Sequence, residues 1–174
     1  MNDKDWKKTR EEGEWAEDIV ANYLQDKGYT IIQFNPAKNG EYDILVEKDK
    51  QIYIEVKLDQ SDLARTINIE FMSSGTASGI KKTKADIYIC LQPQINELMY
   101  MNVKDIKDAI KEQMLSRTIT ISGDGSYNSL ARFYNMNKDD IKNKKTTIDW
   151  KKYENFTNQN GRPKLSRPEK LKHL

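Results

Sequence analysis

Histidine and cysteine are almost missing from this 174-residue chain: His173 and Cys90 are the only examples. A single cysteine excludes an internal disulfide and a cysteine-based zinc site. Cys90, inside the apolar run DIYICLQ, reads as a buried core thiol. His173 lies beside the last residue, where side chains usually fray. That position excludes Ser-His-Asp, Cys-His and histidine–metal chemistry. Any catalysis is left to carboxylates, lysines, hydroxyls and a hard metal ion. Long apolar runs are also missing, so no membrane-spanning helix and no membrane partner are expected. The opening MNDKDWKKTREEGEWAED has no apolar signal core. Together with the lone cysteine, these features point to the cytoplasm. The net charge of +2 is too small to imply a polyanionic partner by itself.

What is present is a polar chain, 32% charged and 37% hydrophobic, long enough for one domain with a real core. Thr9 and Glu12 have capping-box spacing, which starts a helix near Arg10. Ala16, Ile19, Val20, Tyr23 and Leu24 continue at helical spacing, and Gly28 is a natural stop. YTIIQF reads as a strand and NPAKNGE as a loop. RTINIEF alternates as a half-buried strand, and DIYICL is apolar enough for a central one. LMYMNV reads as a strand, VKDIKDAIKEQML as an amphipathic helix, RTITI as a strand and SGDGS as a turn. Residues 127–150 give no clear pattern. The expected fold class is α/β, with residues 1–150 as the domain. Residues 151–174, rich in Lys, Arg, Asn and Pro, are expected to form a mobile basic tail.

The informative stretch is EYDILVEKDKQIYIEVK, residues 41–57. With Lys48, Asp49 and Lys50 as a three-residue turn, Ile44 faces Ile54 and Asp43 faces Glu55. Alternation puts Ile44, Val46, Ile52, Ile54 and Val56 on one apolar face. Asp43, Glu55 and Lys57 share the other. Opposed side chains on paired strands have Cβ atoms about 4.5–5.5 Å apart, so two carboxylates there repel unless a cation lies between them. Oxygen donors so arranged suit Mg²⁺. On the first helix, Glu17 points toward the sheet and Glu14 lies on the polar shoulder, so Glu17 is expected at the same site, with Glu14 as the other candidate. Lys81, Lys82 and Lys84, in a Gly/Ser/Thr-rich loop, are candidate DNA-phosphate contacts. Arg162, Lys164 and Arg167 of the tail would add non-specific phosphate affinity.

An acidic helix, an Asp and then Glu-x-Lys on the following strand resemble the PD-(D/E)XK nuclease superfamily. The order looks most like the archaeal-type Holliday junction resolvases, on Gly13 with Ala16–Glu17, on KGYTII at 27–32 and on IEVK at 54–57. Tyr42 stands where that motif has its proline. The resemblance covers residues 9 to about 92. The SGI-x-x-T-x-AD pattern that follows looks like nuclease-like proteins of phages and prophages. It implies a restriction-endonuclease-like core, a central mixed β-sheet flanked by helices. It also implies Mg²⁺-dependent cleavage of DNA, with branched or junction DNA as substrate and Mn²⁺ able to substitute. Asp43 and Glu55, with the Val56 carbonyl, would hold the metal. Glu17, favoured over Glu14 by the match, would hold a second ion or its water. Lys57 would act on the attacking water. One site per chain cuts one strand, so resolving a junction implies a homodimer. No small-molecule cofactor is expected. A sequence-specific restriction or homing-type endonuclease, and a non-catalytic DNA-binding module of the same fold, are the competing readings. The intact acid and lysine set weighs against the second.

Overall fold

A computed structural model of the chain describes residues 3–34, 41–60, 66–73, 75–113, 118–122, 130–137, 141–154, 167–168 and 171–172. Helix α1 spans Asp3–Asp26 and begins well before the expected start near Arg10. It runs through Gly13, where a Cβ would meet nothing within 4 Å. The helix stops as expected. Gly28 takes φ +84°, and the Tyr29 N–H donates to the Leu24 carbonyl at 3.0 Å.

The chain then forms β1 (Thr30–Phe34), β2 (Ile44–Glu47) and β3 (Gln51–Leu58). Next come β4 (Thr66–Ser73), β5 (Thr76–Ala77), β6 (Ile87–Gln92), β7 (Glu97–Asn102) and α2 (Val103–Gln113). β8 (Thr118–Ser122), β9 (Leu130–Asn137), β10 (Asn143–Thr147) and α3 (Trp150–Glu154) complete the described elements. Six strands make a central mixed sheet in the order β1-β2-β3-β6-β7-β10. β3 and β6 pair in parallel, and the other neighbours are antiparallel. Helices flank this sheet, as in a restriction-endonuclease-like core. None among the described residues is long and apolar enough to cross a membrane.

RTINIEF is a strand with Ile67, Ile69 and Phe71 buried, as its alternation requires, but it does not join the central sheet. It lies in a second sheet of order β5-β4-β9-β8. Within the unpatterned residues 127–150 lie β9 and β10, which are placed by their strand partners. The SGDGS turn falls outside the described residues.

Each face of the central sheet carries its own core. On one face, Trp15, Ala16, Ile19 and Val20 of α1 pack on Ile44, Val46, Ile54 and Val56. On the other, Tyr88, Cys90, Met99 and Met101 meet Val103 and Ile106 of α2 and the inner side of β4.

Where the stretch from Lys151 is described, its residues pack on the body of the domain. Tyr153 and Leu171 are buried in the α1-side core. Trp150 stacks edge-on against Trp15 with centroids 5.6 Å apart, and its indole N–H donates to the Pro93 carbonyl at 3.1 Å. Asn22 donates to the Tyr153 carbonyl, and the Tyr153 hydroxyl donates to Asp26 at 2.9 Å. Arg167 grips Glu154 through two hydrogen bonds, at 3.0 and 2.6 Å. Average composition hid three well-spaced apolar anchors among many lysines. Leu171→Ala should therefore lower the unfolding free energy by about 2–5 kcal/mol, as buried leucines do. Urea titration of the full-length variant measures it, and a change near zero would return Leu171 to a loose tail.

Candidate active site

The hairpin has the register its sequence requires. Ile44 pairs with Ile54, Leu45 with Tyr53, Val46 with Ile52 and Glu47 with Gln51, leaving 48–50 as the turn. Asp43 immediately precedes β2, and its N–H donates to the Ile54 carbonyl at 2.8 Å. At Val56 the ladder has run out of β2 residues. The Asp43 carboxylate takes the vacant role, accepting the Val56 N–H at 2.7 Å. This is a charge-assisted bond that fixes the carboxylate at the strand edge.

Glu55 alternates to the same side, away from α1, beside Tyr88 in the parallel ladder. Its carboxyl is pushed from 4.5 up to about 7, first by burial and next by the charge on Asp43. Glu70 of β4 raises it further. A hydrogen bond from Thr83 and the charge of Lys57 pull the other way. Lys57 is half-buried opposite Cys90 on the same face.

Thr83, the threonine of the SGI-x-x-T-x-AD pattern, has no site role assigned from sequence, yet it organises the site. It is buried, and its hydroxyl lies 2.9 Å from Glu55 Oε2 and 3.0 Å from the Glu41 carbonyl. It also accepts the Ala85 N–H at 3.1 Å. The loop bearing it is tied down on three sides. Lys84 N–H donates to the Glu41 carbonyl, Lys107 of α2 donates to the Thr83 carbonyl, and Ser78 donates to Glu70 at 2.7 Å. Gly79 takes φ +48°, and a Cβ there would fall on the Glu70 backbone carbonyl, so only glycine allows this approach. Asp86 closes the loop, accepting the Tyr53 N–H at 3.0 Å and donating its own N–H to the Tyr53 carbonyl. The T-x-AD part of the loop pattern thus has three physical roles: a buried hydroxyl, a residue too small to displace it and a strand-pairing carboxylate.

Asp43, Glu55, Lys57 and the Val56 backbone therefore come together. Lys81, Lys82 and Lys84 flank Thr83 and are exposed, with Lys84 also paired to Glu41 at 2.6 Å. Glu17 is half-buried on α1, which packs on the opposite face of the sheet. Among the described residues no three Asp, Glu, His or Cys side chains gather closely enough to hold a metal ion, so Glu17 does not complete a carboxylate triad. Glu14 pairs with Arg10 at 2.8 Å. Arg162 and Lys164 lie outside the described residues. Arg167 is engaged with Glu154 and lies over the Trp150 ring, 4.9 Å from its centroid, so it is not presented as a loose phosphate contact.

The model of the Uncharacterised protein family UPF0102 matches residues 16–113. The chain belongs to UPF0102. The match runs from α1 to the end of α2 and includes the whole Asp43–Glu55–Thr83 arrangement. A UPF0102 protein of Syntrophomonas wolfei subsp. wolfei (strain DSM 2245B / Goettingen) is 44% identical over 54 residues. That alignment covers 30% of this chain and 47% of the relative's own length. No solved structure matches the chain.

The raised Glu55 carboxyl has a measurable consequence. Between about 4.5 and 7 the folded protein holds a proton that the unfolded chain has released, so stability falls as pH rises through that window. Without added metal, Glu55→Gln should gain on the native protein from pH 4.5 to 7, by on the order of 2 kcal/mol. Parallel unfolding curves for the two proteins across this range would show that Glu55 is not held beside Asp43.

Proposed function

We propose that this protein is a metal-dependent endonuclease that hydrolyses phosphodiester bonds in DNA. The observation that carries this reading is the pair of carboxylates, Asp43 and Glu55, on one face of a register-fixed hairpin with Lys57 beside them. The donors fit a hard cation: two carboxylates, with a strand carbonyl at Val56, suit Mg²⁺, which keeps much of its own water. Mg²⁺ or Mn²⁺ bound there would acidify water and offset charge on the phosphate. The Asp43 carboxylate is held in position by the Val56 N–H, beside Glu55. Glu55 is aimed by Thr83, whose hydroxyl is fixed by the Ala85 N–H and the Glu41 carbonyl. Lys57 holds an ammonium at the carboxylates, where it can orient the attacking water and counter negative charge on the phosphate.

Lys81, Lys82 and Lys84 supply the phosphate contacts that draw DNA to this face. Branched DNA is the substrate class favoured by the resemblance over residues 9–92, and cleavage of both strands would then require a homodimer. Glu17, on the helix that covers the opposite face, would not be among the residues that hold the metal directly.

Asp43→Asn and Glu55→Gln should each reduce Mg²⁺-dependent cleavage by at least about a hundredfold while DNA binding persists. Thr83→Val should show an intermediate loss, and Glu17→Gln a smaller one than either carboxylate. The assay compares junction, flap, duplex and single-stranded DNA with Mg²⁺, with Mn²⁺ and with chelator. Native-rate cleavage by either carboxylate variant would remove the assignment, and a large loss in Glu17→Gln would bring that residue back into the donor set.

A further inference from the structure

A cavity of about 560 Å³ opens on the face of the central sheet away from Asp43 and Glu55, beside the C-terminal end of α1. Its floor is apolar, formed by Val46, Ile52, Ile54, Ile87 and Ile89. Four hydroxyl-bearing side chains, Tyr23, Tyr29, Tyr100 and Thr146, stand in its walls. Leu24, Lys27, Lys48 and Lys144 complete the lining, and no carboxylate is part of it. Beside that rim, the Asp26 carboxylate is 3.9 Å from the Lys27 ammonium and is also shared by Lys152 and Tyr153.

The lysines are held at the mouth. The Lys48 ammonium donates to the Lys27 carbonyl at 3.1 Å and lies 5.2 Å from the Tyr29 ring centroid. The Lys27 ammonium lies 5.3 Å from that of Tyr23. Across the opening, Lys144 projects from β10, the edge strand of the sheet. A neighbouring cleft that shares Ile87, Tyr100 and Lys144 extends the positive rim to Lys142.

We propose that this cavity binds a nucleoside phosphate, with the base over the isoleucine floor among the tyrosines and the phosphate at the lysine rim. The volume falls within the range of small-ligand sites. The Tyr23 and Tyr100 hydroxyls already bond each other. A flat heterocycle can lie against the tyrosine rings and join these hydroxyls and that of Thr146 in hydrogen bonds, which an acyl chain cannot do. Lysine ammoniums at the mouth complement a phosphate, and the lining offers no carboxylate to repel it. The ligand can come from two sources, a free mononucleotide or the terminal nucleotide of a single strand. The site lies across the sheet from the proposed cleavage site, so binding here does not depend on that chemistry.

The test is calorimetric titration of the full-length chain, in chelator, with three probes: a 5′-mononucleotide, a short 5′-phosphorylated single strand and a medium-chain fatty acid. Wild type should bind one equivalent of the first or the second, and that comparison identifies the source. Lys144→Glu and Lys48→Gln should each weaken binding at least tenfold, while Asp43→Asn binds as wild type does. Lys144 is exposed on an edge strand, so its variant remains informative even if Lys48→Gln disturbs the end of α1. Absence of nucleotide binding, preference for the fatty acid, or binding lost in Asp43→Asn but kept in Lys144→Glu would overturn the proposal.

Discussion

The hydrogen bond from the Val56 N–H to the Asp43 carboxylate stands where β2 offers no partner: by the register Val56 lies opposite Tyr42, two residues before β2 begins. This small mismatch sets the geometry of the site. It fixes one carboxylate beside the strand that carries the other, on the face where a second sheet and a tethered loop limit water. Glu55 then sits in surroundings that disfavour its charge. The protein answers with a threonine hydroxyl and a lysine rather than with a fully paired ion. Most other features of this face hold that strained pair in position.

Much of this was legible in the sequence because it depends on the strictest periodicity a chain can have. A hairpin shifted by one residue exchanges its two faces, so Ile44, Val46, Ile54 and Val56 could be buried together only in the observed register. The same rule placed Asp43, Glu55 and Lys57 side by side. Gly28 ended α1 for an equally local reason. Where the determinants are distant in sequence, local reading failed. Nothing in RTINIEF distinguishes a strand of the central sheet from one paired to β9. Thr83 resembles any loop threonine until the Glu41 carbonyl and Glu55 are brought to it. Glu17 satisfies helical periodicity, yet periodicity does not say which face of the sheet the helix will cover.

The tail shows a different limit. Composition averages over a window, but burial is decided residue by residue. Tyr153 and Leu171 are buried although most of their sequence neighbours are polar, because the α1 side of the sheet offers an apolar surface for them. The Glu154–Arg167 pair beside Trp150 then closes the edge of that surface with charge and aromatic contact.

The joining of α1 to α3 has a bearing on biosynthesis. A ribosome delivers the chain from its N-terminus at roughly 5–20 residues per second. Trp15 and its apolar neighbours on α1 therefore emerge long before Trp150, Tyr153 and Leu171, which cover them. The nascent protein can form its hairpin early and cover much of α1 with it, but the edge of the helix that meets Trp150 and Tyr153 stays open for much of translation. That interval, rather than the finished fold, is when this chain is most exposed to aggregation and most suited to recognition by a chaperone.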